Sequence, residues 1–291
     1  MKILKILSLN FIFLVLVFIL FDWIFYACHA YKVMENPGWF NSDRIENDLP
    51  FDKNKRPVVL MGCSYVFGAG VDYNQTISYK MQERTGRKVY NFGQIASGVQ
   101  HCLFFLQEHQ FFKEHKNLDP DYVIYLFIND HMRRMYVNFF DEDTGLKYLR
   151  YEKKNDSLVR KNMHIVPLDY LRVTLLYKKI NNFFIKNKSA DENFEFLKMH
   201  LVEIKNEINQ KYKDTEFVVI VYPADFDRCF EKSAQGYSDK WQSLESQGIH
   251  VIDLSKENFE FKDEYIASDG LHPSGKAWDK LLPVIIKDLN L

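Results

Sequence analysis

A hydroxyl, an imidazole and a carboxylate stand in two short segments near opposite ends of the chain. Ser64 follows an apolar run and the small residues Gly62 and Cys63. Asp269 and His272 lie three residues apart in the run Asp-Gly-Leu-His-Pro near the C-terminus. In serine esterases an imidazole accepts the proton of the attacking hydroxyl, and a carboxylate holds that imidazole in place. The two segments therefore predict acyl chemistry, with Ser64 as nucleophile, His272 as general base and Asp269 as its partner.

Each segment by itself also fits a simpler interpretation. A Gly-x-Ser sequence after a strand can be an ordinary turn, and Asp269 can be a turn residue ahead of a helix that Ser274 caps. Two further segments favour the catalytic interpretation, because each ends an apolar strand with hydrogen-bond donors: Val89 to Gly98 and Tyr122 to Asp130. Parallel strands bring such donors to the carboxyl edge of a sheet, where they can hold the oxyanion of acyl transfer.

The four segments resemble, in order, the four motif blocks of the SGNH (GDSL-type) hydrolases. The blocks are Gly62-Cys63-Ser64, Asn91 to Gly98, Ile128-Asn129-Asp130 and Asp269-Gly270-Leu271-His272. The resemblance covers roughly residues 57 to 291 and implies Ser64, His272 and Asp269 as the catalytic residues. It also implies an oxyanion site built from the Ser64 N–H, the Asn129 amide and a backbone N–H at Ala96 or Gly93. No metal or organic cofactor is required.

Three positions depart from the family pattern. Cys63 replaces the Asp of Gly-Asp-Ser, and Phe127 stands where many members have Gly. Ala96 occupies the position of the oxyanion Gly, with Gly93 and Gly98 on either side. A backbone N–H at Ala96 would serve as well as one at Gly. The departures nevertheless motivate an alternative in which the chain has this fold without the activity.

Short apolar runs alternate with helical stretches from Pro57 onward, as in chains that form a parallel sheet covered by helices. The predicted strands are Val58–Met61, Val89–Phe92, Val123–Ile128, Phe217–Tyr222 and His250–Leu254. The predicted helices are Thr76–Arg84, Val99–Glu114, Asn193–Lys211, Ser238–Gln247 and Ser274–Leu289. We therefore expect an α/β fold, a three-layer sandwich around a five-stranded, mainly parallel sheet.

The first 29 residues predict a membrane anchor or a signal segment. From Ile6 to Cys28 the sequence is almost wholly apolar. As a helix this run would be about 35 Å long, enough to cross a bilayer core of about 30 Å. Lys2 and Lys5 precede it, which favours an N-in orientation and an extracytoplasmic domain. An uncleaved transmembrane helix is the favoured interpretation, while a cleaved signal peptide, a lipidated Cys28 and a buried N-terminal helix stay open.

The rest of the chain divides into a polar connector at 30–56 and a hydrolase domain at 57–291. The domain carries an insertion at 141–190, which holds 11 Lys or Arg against 6 Asp or Glu. The insertion can be a cap over the substrate or a face resting on anionic membrane. A solvated helical insertion packed on the sheet is the simpler alternative.

Composition narrows the possible functions. A chain of 291 residues with 47% hydrophobic residues can bury the core of one α/β domain. A formal net charge of −1 gives no overall signal for nucleic acid. The four cysteines form no Cys-x-x-Cys pair, so neither a zinc site nor a redox motif is predicted.

Several polar residues outside the four blocks have competing interpretations. His101, His109 and His115 lie near one predicted helix without a metal-binding pattern, so surface or structural roles are favoured. Arg133 and Arg134 follow the Asn-Asp block. They can contact an anionic group of the substrate or form surface ion pairs.

An outward-facing, membrane-anchored esterase would meet substrates of the cell envelope. We expect removal of O-acyl groups, such as acetyl, from an envelope saccharide or lipid, with no nucleic-acid partner. One alternative is an acyltransferase that uses the same acyl-enzyme with another acceptor. A second is a non-catalytic envelope binding or assembly protein on a degenerate SGNH fold.

Overall fold

The computed structural model divides the chain into two compact units. It describes residues 44–95, 97–115, 117–135, 151–155, 157–160, 190–223, 237, 239–257, 259–260 and 262–291, together with Val17 and Leu20. The first unit comprises 1–40, 138–148 and 162–186, and only Val17 and Leu20 of it are described. The predicted anchor, most of the predicted insertion and Ala96 therefore lie outside the described residues. In the part of the chain that is described, no helix combines the length and apolar character needed to cross a bilayer.

A five-stranded parallel sheet forms the centre of the second unit. Its strands are β1 (Val58–Gly62), β2 (Val89–Gly93), β3 (Tyr122–Phe127), β6 (Glu216–Val221) and β7 (His250–Asp253), in the order β2-β1-β3-β6-β7. Every pairing between neighbours is parallel. All five predicted strands are confirmed to within two residues at each end. Strand β1 is buried along its whole length, as the continuous apolar sequence of a central parallel strand predicts.

Eight α-helices accompany the strands in the described residues. They are α1 (Ser64–Phe67), α2 (Ile77–Thr85), α3 (Val99–Glu108), α4 (Gln110–Glu114), α5 (Asp130–Arg134), α6 (Ala190–Lys211), α7 (Gln242–Glu245) and α8 (Gly275–Asp288). Helices α2 and α8 pack on one face of the sheet, where Ile77, Trp278 and Leu282 meet Leu60 and Ile124. Helices α3 and α6 pack against each other, and Gln107 Nε2 donates to Glu207 Oε1 at 2.8 Å.

Two of the predicted helices are divided or shortened in the structure. The predicted helix Val99–Glu114 is two helices, because His109 is extended (φ −68°, ψ 136°) and its Nδ1 accepts from the N–H of Phe111. The predicted helix Ser238–Gln247 is reduced to α7. The described part of the insertion forms an unpredicted antiparallel hairpin, β4 (Tyr151–Lys154) and β5 (Ser157–Arg160). Ser274 does cap α8, since its Oγ accepts from the N–H of Ala277.

Residues 44–50, within the predicted connector, lie against the domain. The N–H of Asn91 in edge strand β2 donates to the carbonyl of Ile45 at 2.8 Å. Gln82 Nε2 donates to the carbonyl of Leu49 at 2.7 Å. Arg44 Nη1 donates to the carbonyls of Phe67 and Gly68, which follow Ser64 on the same turn. Residues 44–50 therefore stabilise the turn that carries the predicted nucleophile.

Candidate active site

The predicted nucleophile lies at the junction between β1 and α1. Cys63 is extended (φ −93°, ψ −156°) and precedes the helix, so Ser64 is its first residue. The first amides of a helix have no partner within that helix. The amide of Ser64 donates to no acceptor among the described residues, and its side chain is 5% exposed. A hydroxyl and a free backbone donor therefore meet at the carboxyl end of a central strand.

The junction is tightly packed against the neighbouring strand. A Cβ placed on Gly93, the last residue of β2, would lie 2.1 Å from the backbone N of Phe67 in α1. One placed on Gly62 would lie 2.7 Å from a methyl carbon of Val66. Glycine at these two positions lets the nucleophile turn lie directly on the edge of the sheet.

Asp269 and His272 form a hydrogen-bonded pair within one short loop. Asp269 Oδ2 lies 2.6 Å from His272 Nδ1, which leaves Nε2 on the far side of the ring. Asp269 Oδ1 accepts from the backbone N–H groups of Leu271 and His272 at 2.9 and 3.0 Å. Gly270 adopts the left-handed conformation (φ 74°) that this tight turn requires. The three-residue spacing thus lets the Asp269–His272 hydrogen bond form within the loop, without a contact from another element.

The same hydrogen bonds set the charge of the carboxylate. Partial burial alone would raise the pKa of Asp269. The backbone N–H groups of His272 and Leu271, together with the His272 ring, outweigh burial and hold that pKa below its usual value. Asp269 is therefore ionised at neutral pH. An ionised carboxylate on Nδ1 can fix the tautomer of the imidazole and stabilise its protonated form.

Side-chain packing joins this loop to the nucleophile turn. The ring of Tyr65, the residue after Ser64, meets the ring of His272 edge to face, with centroids 5.5 Å apart. The Tyr65 hydroxyl also lies 3.4 Å from the carbonyl of Leu271. A Cβ on Gly70, just beyond α1, would lie 2.2 Å from Asp269 Oδ2. The fold thus brings the segments of Ser64, His272 and Asp269 into contact.

The predicted oxyanion donors have different surroundings. Asn129 lies two residues after β3 ends at Phe127, is half-buried, and its side chain has no hydrogen-bond partner in the described part of the chain. The Gly93 N–H donates to Asn91 Oδ1 at 2.8 Å, so this donor is already engaged. Ala96 lies outside the described residues, and Ile95 beside it donates to none of the described acceptors. The roles of Asn129, Ala96 and Gly93 stay predictions.

Two departures from the family pattern are buried packing residues. Cys63 is fully buried, and Phe127 is 1% exposed. The Phe127 ring packs edge to face on Trp241 at 4.8 Å and on His131 at 5.8 Å. Both side chains fill the core beneath the sheet edge, and neither removes a group that the chemistry needs.

The other polar candidates have structural surroundings. His101 Nδ1 accepts from the N–H of Gly98, and the ring of His115 stacks on Phe111 at 4.2 Å. The structural interpretation of these histidines is therefore confirmed. Arg134 pairs with Asp130, but both side chains are largely buried, so the surface ion pair, one of the two interpretations of Arg134, is wrong. The side chain of Arg133 lies outside the described residues.

Gly70 and Tyr65 are the residues at the site that sequence reasoning missed. Gly70 lies two residues after Gly68 in a turn and carries no motif of its own. Its contact with Asp269 joins positions far apart in the sequence. In the described ranges, no group of three or more His, Cys, Asp or Glu side chains could hold a metal ion.

Three of the four motif blocks lie at the carboxyl ends of neighbouring strands. Ser64 follows β1, the Asn91 block begins within the neighbouring β2, and Asn129 follows β3 on the other side of β1. The Asp269–His272 loop precedes the last helix and reaches the same edge. This arrangement agrees with the SGNH resemblance of the sequence. Its hydrogen-bonded Asp and His on one loop match the block that the SGNH resemblance predicted.

Comparison with known proteins gives similarities of fold. No protein-family model and no curated protein matches the sequence. The structure is similar to a lipolytic protein of the G-D-S-L family from Desulfitobacterium hafniense DCB-2, at 12% identity and a TM-score of 0.47, covering 80% of this chain and 99% of that one.

Two esterase structures are similar to the same degree. The acetylxylan esterase Axe2 from Geobacillus stearothermophilus has 11% identity and a TM-score of 0.46. The match covers 84% of this chain and 97% of the Axe2 chain. The psychrotrophic esterase EstA from Pseudoalteromonas sp. has 12% identity and a TM-score of 0.47. The match covers 81% of this chain and 100% of the EstA chain. Similarity at this level gives no information about activity or substrate.

Proposed function

We propose that this chain is a serine ester hydrolase, anchored in a membrane by its N-terminal segment, that removes O-acyl groups from a cell-envelope saccharide or lipid. One observation carries the hydrolase part of the proposal. The Asp269–His272 pair, with Oδ2 and Nδ1 2.6 Å apart, lies on a loop that packs against Tyr65, the neighbour of Ser64. A module that only binds a ligand has no need for these three groups in contacting segments.

The proposed reaction uses only groups of this chain. Ser64 Oγ attacks the ester carbonyl while His272 Nε2 takes its proton, and Asp269 stabilises the resulting imidazolium. The same proton then goes to the leaving alcohol, and an acyl-enzyme remains. A water molecule, deprotonated by His272, attacks this ester and releases the acid. The Ser64 N–H and the Asn129 amide hold the oxyanion in both steps.

The membrane and substrate parts of the proposal rest on the sequence. The apolar run Ile6 to Cys28 is long enough to cross a bilayer, and Lys2 and Lys5 favour an N-in orientation. A domain outside the cytoplasm meets envelope glycans and lipids, many of which carry O-acyl esters. Acetyl is the acyl group we propose first.

Hydrolysis of a model acetyl ester tests the proposal directly. The full chain should release p-nitrophenol from p-nitrophenyl acetate, and Ser64→Ala should abolish release above the rate of the uncatalysed reaction. A fluorophosphonate probe should label the wild type at Ser64 and leave Ser64→Ala unlabelled. Full activity in Ser64→Ala would contradict the proposal, as would a folded wild type that is neither active nor labelled.

The same assay separates hydrolysis from acyl transfer. With an unacylated envelope saccharide added, a hydrolase releases free acid, whereas a transferase acylates the sugar and releases less acid. Absence of both products and of labelling would favour the non-catalytic binding or assembly protein.

A further inference from the structure

A largely buried ion pair begins at Asp130, the residue after the proposed oxyanion donor Asn129. Arg134 Nε lies 2.5 Å from Asp130 Oδ2, one turn apart on α5. The Asp130 side chain is 1% exposed and that of Arg134 is 12% exposed. Asp130 is the residue after Asn129, so the pair is anchored at the end of β3. Ions buried in this way are costly unless they are paired and hydrogen-bonded, so this pair calls for a role beyond stability.

Arg134 also reaches across to the segment after β2. Its Nη1 donates to the backbone carbonyl of Ser97 at 2.6 Å. A Cβ on Gly98 would lie 3.2 Å from the Cβ of Arg134, so the two backbones are close. Gln100 Nε2 donates back to the carbonyl of Arg134 at 2.8 Å. The guanidinium therefore connects the end of β3 to the oxyanion loop, defined here by the described residues Gln94, Ile95, Ser97 and Gly98.

The oxyanion loop is fixed in turn to the nucleophile strand. Ser97 Oγ donates to the carbonyl of Gly62 at 2.7 Å, and the Gln94 N–H donates to the same carbonyl at 3.0 Å. Gly62 is the last residue of β1, two positions before Ser64. One carbonyl thus receives two bonds from the oxyanion loop. Any shift of Ser97 would move the loop relative to the nucleophile.

A neutral histidine completes the attachment of the loop. The N–H of Gly98 donates to His101 Nδ1 at 3.0 Å, which is possible only while that nitrogen carries no proton. Burial, assisted by the charge of Arg134, lowers the pKa of His101 to about 4. The acceptor is therefore available at neutral pH. Every described amide of the oxyanion loop except that of Ile95 then has a bond to a described acceptor.

We propose that Arg134 is a positioning residue for the oxyanion site, holding the oxyanion loop in register with Asn129 and with the nucleophile turn. The proposal rests on the esterase function proposed above. The planar guanidinium suits this task because it offers Nε to Asp130 and Nη1 to the Ser97 carbonyl at a fixed angle. The single ammonium of lysine cannot donate to both acceptors in this planar geometry. Arg134 itself touches no reacting atom in this scheme.

Arg134→Lys in the full chain tests the proposal, with Arg84→Lys as the matched control. Arg84 also pairs with a carboxylate, Asp279 Oδ1 at 2.5 Å, but joins α2 to α8 away from the four blocks. In p-nitrophenyl acetate hydrolysis, we expect Arg134→Lys to lower kcat about 10²-fold with little change in KM. A shift of the Asn129 amide or of the Ser64 N–H weakens a bond to the oxyanion that forms only in the transition state. Arg84→Lys should keep both constants. Labelling of Ser64 by a fluorophosphonate should slow in parallel with kcat, because the phosphoryl oxygen needs the same donors.

A second variant distinguishes a loss of positioning from a loss of folding. Removing the arginine charge alone leaves the Asp130 carboxylate buried without this cation, which can unfold a domain. The double variant Asp130→Asn, Arg134→Gln carries no buried charge, and its shorter glutamine cannot reach Ser97. It should melt cooperatively and show the same loss of kcat.

The outcomes distinguish the two proposals. Wild-type kcat in folded Arg134→Lys and in the double variant would overturn the positioning role and leave the esterase function intact. A rise in KM at constant kcat would also overturn it. A wild type that neither hydrolyses the ester nor takes the probe would overturn the esterase function, and the positioning role with it.

Discussion

Gly70→Ala should disable the proposed catalytic pair, Asp269 and His272, through a single added methyl group. Gly70 has φ 75°, and a Cβ there would lie 2.2 Å from Asp269 Oδ2 and 2.6 Å from its Cγ. Ordinary contact begins at 3.4 Å, so the carboxylate oxygen must move by about 1.2 Å, from 2.2 to 3.4 Å. The displaced atom is the one that bonds His272 Nδ1 at 2.6 Å. The substitution therefore acts on the hydrogen bond that orients the imidazole.

The size of the effect follows from this displacement. A misplacement of about 1 Å in a catalytic group typically costs about 10² in rate, and complete loss of the orienting carboxylate costs more. We expect kcat for p-nitrophenyl acetate to fall at least about 10²-fold, with KM less affected. The left-handed backbone adds about 1 kcal/mol of strain, which lowers the melting temperature but does not by itself alter the chemistry.

Gly86→Ala is the control that isolates the collision. Gly86 has φ 65°, and a Cβ there meets only Lys55 Nζ, at 4.0 Å. It should therefore show the same backbone strain in thermal unfolding and wild-type kcat. The reasoning is refuted if folded Gly70→Ala retains wild-type kcat, or if Gly86→Ala loses as much activity as Gly70→Ala.

Two further predictions concern the oxyanion and pH. Asn129→Ala should lower kcat about 10²–10³-fold with a nearly unchanged melting temperature, because its side-chain amide has no other partner among the described residues. A lower melting temperature with an unchanged kcat would argue for a structural role. Burial lowers the folded-state pKa of His101 and of His200 to about 4, below the value of about 6.5 expected in the unfolded chain. The unfolded state then binds more protons below pH 6.5, so stability is complete above that pH and falls as pH drops toward 4, by about 2 kcal/mol per histidine at pH 5. Urea unfolding at pH 7 and pH 5 checks this, and His200→Gln should flatten the dependence.

The elements that sequence predicted best are those with a local signature. Strand β1 is a continuous apolar run that ends at small residues, which is the pattern of a central parallel strand. The Asp269–His272 pair was predictable because three residues of chain suffice to close it, with two backbone N–H groups bonding the same carboxylate. Ser274 as a helix cap belongs to the same class.

Other features depend on tertiary contacts that no periodic pattern in the sequence predicts. The break at His109 interrupts an otherwise helical pattern, because the histidine ring caps the next helix instead of continuing the first. Residues 44–50 have the composition of a connector, yet their carbonyls and Arg44 pair with the domain. Arg134 follows a motif block, and the sequence leaves open a surface ion pair or a contact with the substrate. Burial of a charge depends on a partner and on the elements that cover it, which a local pattern does not reveal.

The sequence thus determined which groups of this protein could do acyl chemistry, because strand ends and short loops are specified by residues that are close together in the chain. The tertiary structure decided what surrounds those groups: Gly70 behind the Asp269 carboxylate, Tyr65 against the His272 ring, and Arg134 between two strand ends. Such neighbours come from distant parts of the chain. Only the pairing of β1 with both β2 and β3 brings them to one edge of the sheet.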